Sequence, residues 1–525
     1  MSFPRIHARI TATGEAYSEA FEAPFPVVNL SAGGCLLKGS IEPGRAIDVD
    51  IHVHGTDAVR VSGSVVRREI LGDGTPGFAV VFIDVTPEID ARLAHAVTNG
   101  FKALGARILG QVRTEMGRAG ITDVAAVATE LHRIKEEQAL KHMFSSDLHT
   151  ERGSDTVASI VSGTTGEKRE CIVWSLNLYL GLNRNPRVIE KTRTATALYG
   201  TGCGTSAPSG GLNTMHREIE RRVAKMVGKE RAILFPTGYT ANLGALSALA
   251  GPKDLILLDR ESHASMIDGV KLGGKKWLAF KHNDVEDLAD KLRKYSPHHE
   301  NVFVAVESVY SMSGDMAPLA AIAALKDEFK FYLYVDEAHS FGFYGPDGGG
   351  YCRQCGVTDR VDFIMSTFSK ATASVGGFFA SEARFCTLLQ ATATPYIFQA
   401  CLTPPDAATI LGCLDEIETD PALLQSLHDK NAEMRRKLIA EGFDLGTSQS
   451  PVIPVYVPDL EKLYALCARL YLDGVYSVPV VFPAVGVNEG RIRFIVNASH
   501  TSAQIDRTVQ VLGENARALG ILPAR

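Results

Sequence analysis

A chain of 525 residues, 45% hydrophobic and 22% charged, can bury a sizeable core and favours more than one domain. Its formal charge of -6 argues against general nucleic-acid binding and leaves room for a local anion site. No stretch of ~18 residues is both uncharged and apolar throughout, as a membrane span needs, and Met1-Ser-Phe-Pro-Arg-Ile-His-Ala-Arg9 holds no apolar signal core, so a cytoplasmic protein, at most peripheral at a membrane, is expected.

Residues 1–97 carry short alternating apolar runs, Ile47–Val53, Val59–Val66 and Gly77–Phe82, separated by Gly, Pro and Asp turns. That pattern predicts a small all-β domain, a barrel. Arg5-Ile-His-Ala-Arg9 and Asn29-Leu-Ser31-Ala-Gly-Gly34 resemble the two signature elements of PilZ domains, RxxxR and [D/N]xSxxG. The resemblance implies a cyclic-di-GMP site. Arg5 and Arg9 would clamp phosphate or guanine edges, and Asn29, Ser31 and Gly34 would form a turn closely approached by the ligand. Pro4 stands where many PilZ domains carry a further Arg.

From Ala91 to about Glu137 apolar residues recur at three and four positions, which predicts helix. The polar stretch Ser145–Asp155 reads as a flexible linker, so 98–165 is expected to be a helical connector and linker. Beyond it, Arg231–Phe235, Asp254–Asp259, Val302–Glu307, Tyr332–Asp336 and Asp362–Ser366 read as buried strands alternating with helices. An α/β domain with a mostly parallel sheet is expected over 166–405. A smaller α+β domain follows over 406–525, with strands at Val452–Tyr456 and Arg491–Ile495.

The strands end on chemistry. Asp336 closes one apolar run and Lys370 follows another, and parallel sheets bind ligands where strands end. A lysine able to form an imine and an acid able to keep a heteroaromatic nitrogen protonated are what pyridoxal phosphate needs. Either alone is commonplace, as a helix cap or a solvated lysine; the pair is informative. Thr237-Gly238-Tyr239 opens a helix after the first strand and reads as a phosphate seat. His263, after the next strand, could stack on a flat ring, although a histidine in a first helical turn is more often an ordinary polar residue. Two rival nucleotide motifs fail: Gly200-Thr-Gly202-Cys-Gly204 lacks the GxGxxG spacing, and Gly274-Lys275 is followed by Lys276 rather than Ser or Thr. Cys352-Arg-Gln-Cys355 has no second pair for zinc, and the nine cysteines read as free thiols.

Between Asn177 and Thr501 the motifs Asn177-Leu-Tyr-Leu-Gly-Leu, Thr237-Gly-Tyr-x-Ala-Asn, His263-Ala-Ser-x-x-Asp-Gly, Asp336-Glu-Ala-His-Ser, Thr367-Phe-Ser-Lys-Ala and Arg491-Ile-Arg occur in one order. In that order they resemble the α-oxoamine synthases, fold-type I pyridoxal-phosphate transferases. The resemblance implies that Lys370 holds the cofactor covalently and that Asp336 protonates its ring nitrogen. His339 would bond the ring oxygen and His263 would stack on the ring. Thr237, Gly238, Tyr239, Thr367 and Ser369 would hold the phosphate, with Asn177 and Arg493 toward the substrate. The family's Phe-Ser-Thr-like segment, whose hydroxyl reaches the neighbouring subunit's phosphate, reads Phe398-Gln-Ala-Cys-Leu402 here.

The expected protein is thus a homodimeric acyltransferase that condenses a small amino acid, serine first, with a long-chain acyl-CoA or acyl carrier protein thioester, under cyclic-di-GMP control. An autoinducer-type amino-ketone synthase or another family acyltransferase is the alternative within the family. An aminotransferase, or a catalytically idle cyclic-di-GMP effector, is the alternative outside it. No metal is expected.

Overall fold

In this computed structural model the described residues are the strands lying between 9 and 83, then 109–118, 122–141, 143, 145–486 and 488–523. The alternating N-terminal runs form β1 (Arg9–Ile10), β2 (Gly14–Tyr17), β3 (Phe25–Ser31), β4 (Gly34–Lys38), β5 (Ala46–Val53), β6 (Val59–Ile70) and β7 (Pro76–Ile83). They pair antiparallel in the order β1-β3-β2-β5-β6-β7-β4, and β4 pairs again with β3. The register sets Arg9 opposite Ser31 and Ser31 opposite Gly34. Arg5 and residues 84–108, part of the predicted connector, lie outside the described residues.

Helices Leu109–Arg118 and Val124–Leu140 follow, the second capped by Asp123 accepting from Ala126 N–H at 2.8 Å. Val112, Met116, Val127 and Ile134 form a small core of their own between the two helices. The Ser145–Asp155 stretch is not a free linker. Asp147 accepts from the Ser162 and Thr164 hydroxyls, both at 2.7 Å, and β8 (Leu148–Thr150) pairs with β9 (Val157–Ser162). Asp147 and the paired strand anchor this stretch, which composition alone does not reveal. The division at 165/166 falls inside the hairpin of β9 and β10 (Lys168–Val173).

The central sheet comprises β11 (Arg231–Phe235), β12 (Leu255–Asp259), β13 (Lys276–Phe280), β14 (Val302–Glu307), β15 (Tyr332–Asp336), β16 (Phe363–Thr367) and β17 (Gly377–Ser381). Their order is β11-β17-β16-β15-β14-β12-β13. β17 runs antiparallel to both neighbours, so the sheet is mixed. Alternate residues face two cores: Leu234, Leu257, Val304, Val335 and Ile364 one, Phe235, Leu258, Phe303, Tyr334 and Met365 the other. A sheet covered on both faces needs unbroken apolar strands, and β12, β14 and β16 are buried at every position.

After helices Pro404–Thr419 and Pro421–Glu441, β18 (Val452–Tyr456), β20 (Pro479–Val480) and β21 (Arg491–Ile495) form a small antiparallel sheet, β18-β21-β20. Between them β19 (Val475–Tyr476) pairs parallel with β10. Residues 148–173 therefore build with the C-terminal region. Trp174 fixes the junction, donating to Thr508 Oγ1 at 2.9 Å and stacking on His500 with centroids 3.8 Å apart. Among the described residues no helix is long and apolar enough to cross a membrane.

Candidate active site

Four parallel strands of the central sheet end on polar residues: Asp259, Glu307, Asp336 and Thr367. Where β14, β15 and β16 stop, a cavity of about 270 Å³ opens, and its walls include Thr237, Gly238, Tyr239, His263, Asp336, His339, Thr367, Ser369 and Lys370. Every residue assigned above to the cofactor is therefore in one place.

The anion seat is a helix start. Thr237 caps helix Gly238–Leu249, its hydroxyl accepting from Thr240 N–H at 3.0 Å while its own N–H donates to Thr240 Oγ1 at 3.2 Å. The N–H groups of Gly238 and Tyr239, in the first turn, have no intrahelical acceptor. Gly238 is required by close approach, since a Cβ there would stand 2.6 Å from Thr367 Cβ. Opposite, the Thr367 and Ser369 hydroxyls lie 2.8 Å apart. Paired N–H groups, a helix start and two hydroxyls suit a phosphate.

Asp336 is 3% exposed, and its carboxylate accepts from Asn242 Nδ2 at 2.8 Å and from Ala338 N–H at 2.9 Å. Asn242 is itself fixed: it donates to Ser265 Oγ at 2.9 Å and accepts from Tyr334 OH at 2.7 Å. Ser265 Oγ then meets His263 Nδ1 at 2.7 Å. A continuous polar chain thus ties the acid to the ring above it.

Desolvation pulls the half-buried Lys370 ammonium down to about 8, against the opposing fields of Asp336 and Glu307. The His263 ring is exposed toward the cavity, yet desolvation holds its pKa below the ordinary value. His339 is buried and lies well below it for the same reason, with Lys370 and Arg493 adding to the effect. Its Nδ1 is 2.6 Å from the hydroxyl of Tyr179, a phenol pushed up by burial. With Tyr179 as donor, the neutral imidazole carries its proton on Nε2.

Arg493, on β21, is not in the cavity wall; it donates from Nη1 to the Ser311 carbonyl at 2.7 Å. Its charge nevertheless acts on Lys370, His263 and His339. Asn177 also lies outside the wall, and its Oδ1 is buried without a hydrogen-bond partner. Sequence reasoning assigned no role to Asn242, Ser265, Tyr179 or Glu307. The first three stand within the quoted motifs, and Glu307 closes a predicted strand. Cys352 is buried, its N–H donating to Glu337 Oε1 at 2.7 Å, and burial pushes its thiol well up, so it packs a short helix. Among the described residues no His, Cys, Asp and Glu group could hold a metal.

A family profile for aminotransferase class I and II matches residues 169–512, and a PilZ domain profile matches residues 1–99. A serine palmitoyltransferase of Sphingobacterium spiritivorum is 39% identical over 342 residues, covering 65% of this chain and 86% of that protein. An 8-amino-7-oxononanoate synthase of Symbiobacterium thermophilum is 34% identical over 364 residues, 69% of this chain and 92% of that one. A solved high-resolution structure of SPT with its PLP internal aldimine superposes with a TM-score of 0.72 at 31% identity, covering 76% of this chain and 100% of that chain.

Proposed function

We propose a function from one premise: the chain belongs to the class I and II aminotransferase family, in its α-oxoamine synthase branch. The reaction is the decarboxylative condensation of a small amino acid with an acyl thioester to an α-amino ketone. Serine and a long-chain acyl group, on CoA or on a carrier protein, are the first choice, following the similarity to serine palmitoyltransferases. The observation that carries this reading is the convergence of Lys370, Asp336, His263 and His339 on one cavity beside an anion seat.

The residues fit pyridoxal phosphate. Gly238 and Tyr239 N–H groups with the Thr367 and Ser369 hydroxyls would hold its phosphate, Asp336 its ring nitrogen, His339 its ring oxygen and Lys370 its carbonyl carbon, with His263 over the ring. When bound, the cofactor supplies an electron sink for the pair left at the amino acid's Cα. Asp336 keeps that sink cationic. Once the incoming amino acid's amine replaces it on the cofactor carbon, the Lys370 amine would take the Cα proton and later return one after CO2 leaves, its free form favoured by desolvation. Arg493 orients the substrate carboxylate through a bidentate fork. Amino acids and acyl thioesters of graded length, scored for free thiol, CO2 and product mass, test the reading. Amino transfer to a keto acid without thioester-dependent CO2 would replace it with an aminotransferase.

For residues 1–97 the proposal is a PilZ barrel that binds cyclic-di-GMP and regulates the synthase. The PilZ match and the row Arg9–Ser31–Gly34, brought together by β1, β3 and β4, support it. Calorimetry with cyclic-di-GMP on the full chain, and on an Arg9→Ala variant losing tenfold or more in affinity, tests the binding. A homodimer is also proposed. Exposed Leu198 and Phe398, 74% and 78% accessible, are large apolar side chains of the kind a partner covers, and light scattering tests it.

A further inference from the structure

Glu307 has no part in the roles assigned above, yet it lines the same cavity and is 3% exposed. It closes β14, in register beside Asp336 at the end of β15, so two buried acids stand on neighbouring strand ends. Two ionised acids there would repel, and burial followed by the Asp336 charge pushes the Glu307 acid well up, opposed by Lys370. Its Oε1 accepts from the backbone N–H of His263 at 2.6 Å. His263 is the N-cap of helix Ala264–Leu272, so this bond fixes the backbone from which the ring projects.

The next residues continue the pattern. Ser308 donates its N–H and its hydroxyl to the Asp336 carbonyl, at 2.9 and 3.1 Å. Three positions later the Ser311 carbonyl accepts from Arg493 Nη1 at 2.7 Å. Within five residues, Glu307, Ser308 and Ser311 thus touch the histidine expected over the ring, the strand end that bears the acid, and the guanidinium expected at the substrate carboxylate. We propose that Glu307–Ser311 is a bracket setting the distance between the His263 ring and the Arg493 fork, and that Glu307 is its positioning residue, acting as a hydrogen-bond acceptor. The proposal rests on the synthase reading for the roles of His263 and Arg493.

The acceptor function separates from charge by substitution. Glu307→Gln keeps a carbonyl oxygen at the same reach, and Glu307→Ala removes it. In the full-length holoprotein, exchange of the amino-acid Cα proton into D2O without thioester should stay within about threefold of wild type for Glu307→Gln. It should fall tenfold or more for Glu307→Ala, with the induced circular dichroism of the cofactor band at less than half. The amino-acid KM should move less than threefold in either, because the Ser311–Arg493 bond is untouched. If the Ala variant fails to fold, Glu307→Asp, one methylene too short to reach the His263 N–H, should show the same loss. Wild-type exchange in Glu307→Ala or Glu307→Asp overturns the proposal. So does a Gln variant as impaired as the Ala variant, which would make the charge the requirement. A wild-type protein without a cofactor band or Cα exchange would instead overturn the synthase reading itself.

Discussion

The chemistry of this cavity turns on which side chains are denied water. Lys370 loses charge because burial outweighs two acids beside it, which sets a direction for pH. Capture of pyridoxal phosphate by the apoprotein needs the free amine, so its rate should rise with pH around a midpoint near 8 rather than near an ordinary lysine value. Asp336→Asn removes a charge that favours the ammonium, so the midpoint should move lower; stopped-flow absorbance at graded pH checks both. A midpoint that stays put in Asp336→Asn would show that the two groups do not share a field. Tyr179 makes a second prediction. Its hydroxyl holds the His339 ring through Nδ1, so Tyr179→Phe should cost about tenfold in Cα exchange, the ~1–1.5 kcal/mol of one hydrogen bond, while cofactor is retained. Exchange at the wild-type rate would leave His339 oriented by something else. Lys370 and Asp336 were legible because each follows an apolar run. The Tyr179–His339 bond spans 160 residues, and no local pattern announces such a contact.

Among the elements, burial explains why β13 was missed but not why β17 was, since β17 is buried at every position. β12, β14 and β16 are apolar up to their polar ends and declare themselves. β13 is an edge strand with exposed Lys276 and Ala279, so its pattern is diluted. β17, Gly377–Ser381, hides because its glycine end faces Gly238: a Cβ on Gly377 would stand 2.6 Å from Gly238 Cα. The segment after β14 shows how tightly such elements abut. Gly314 has φ +70, and a Cβ there would stand 2.0 Å from the Val452 carbonyl oxygen of β18. Gly314→Ala should therefore destabilise by about 2–4 kcal/mol in denaturant titration. Gly274→Ala, at φ +61 with nothing within 4 Å, should cost only about 1 kcal/mol, from the left-handed backbone alone. Equal losses would mean that the Val452 contact adjusts without cost.

For the whole molecule, the proposed division of labour between sensor and synthase predicts what can be removed. Helices Leu109–Arg118 and Val124–Leu140 pack on a core of their own, whereas β8 belongs to a sheet completed by β19 near the other end. A chain of residues 145–525 should thus fold and keep thioester-dependent activity, checked by thermal unfolding and thiol release. One begun at Lys168 should lose stability by exposing β10. Full activity and unchanged stability in the shorter chain would remove β8 and β9 from the synthase. By itself the sequence determined the α/β class, the β-rich N-terminal stretch, the order of the motifs and the residue types of the cavity, because buried strands and their polar ends are local patterns. Tertiary structure alone decided that Glu307 stands beside Asp336, that Asn242 and Ser265 link Asp336 to His263, and that residues 148–173 join the C-terminal region. Those neighbours are chosen by strand order and by packing between distant segments, for which a single sequence carries no periodic mark.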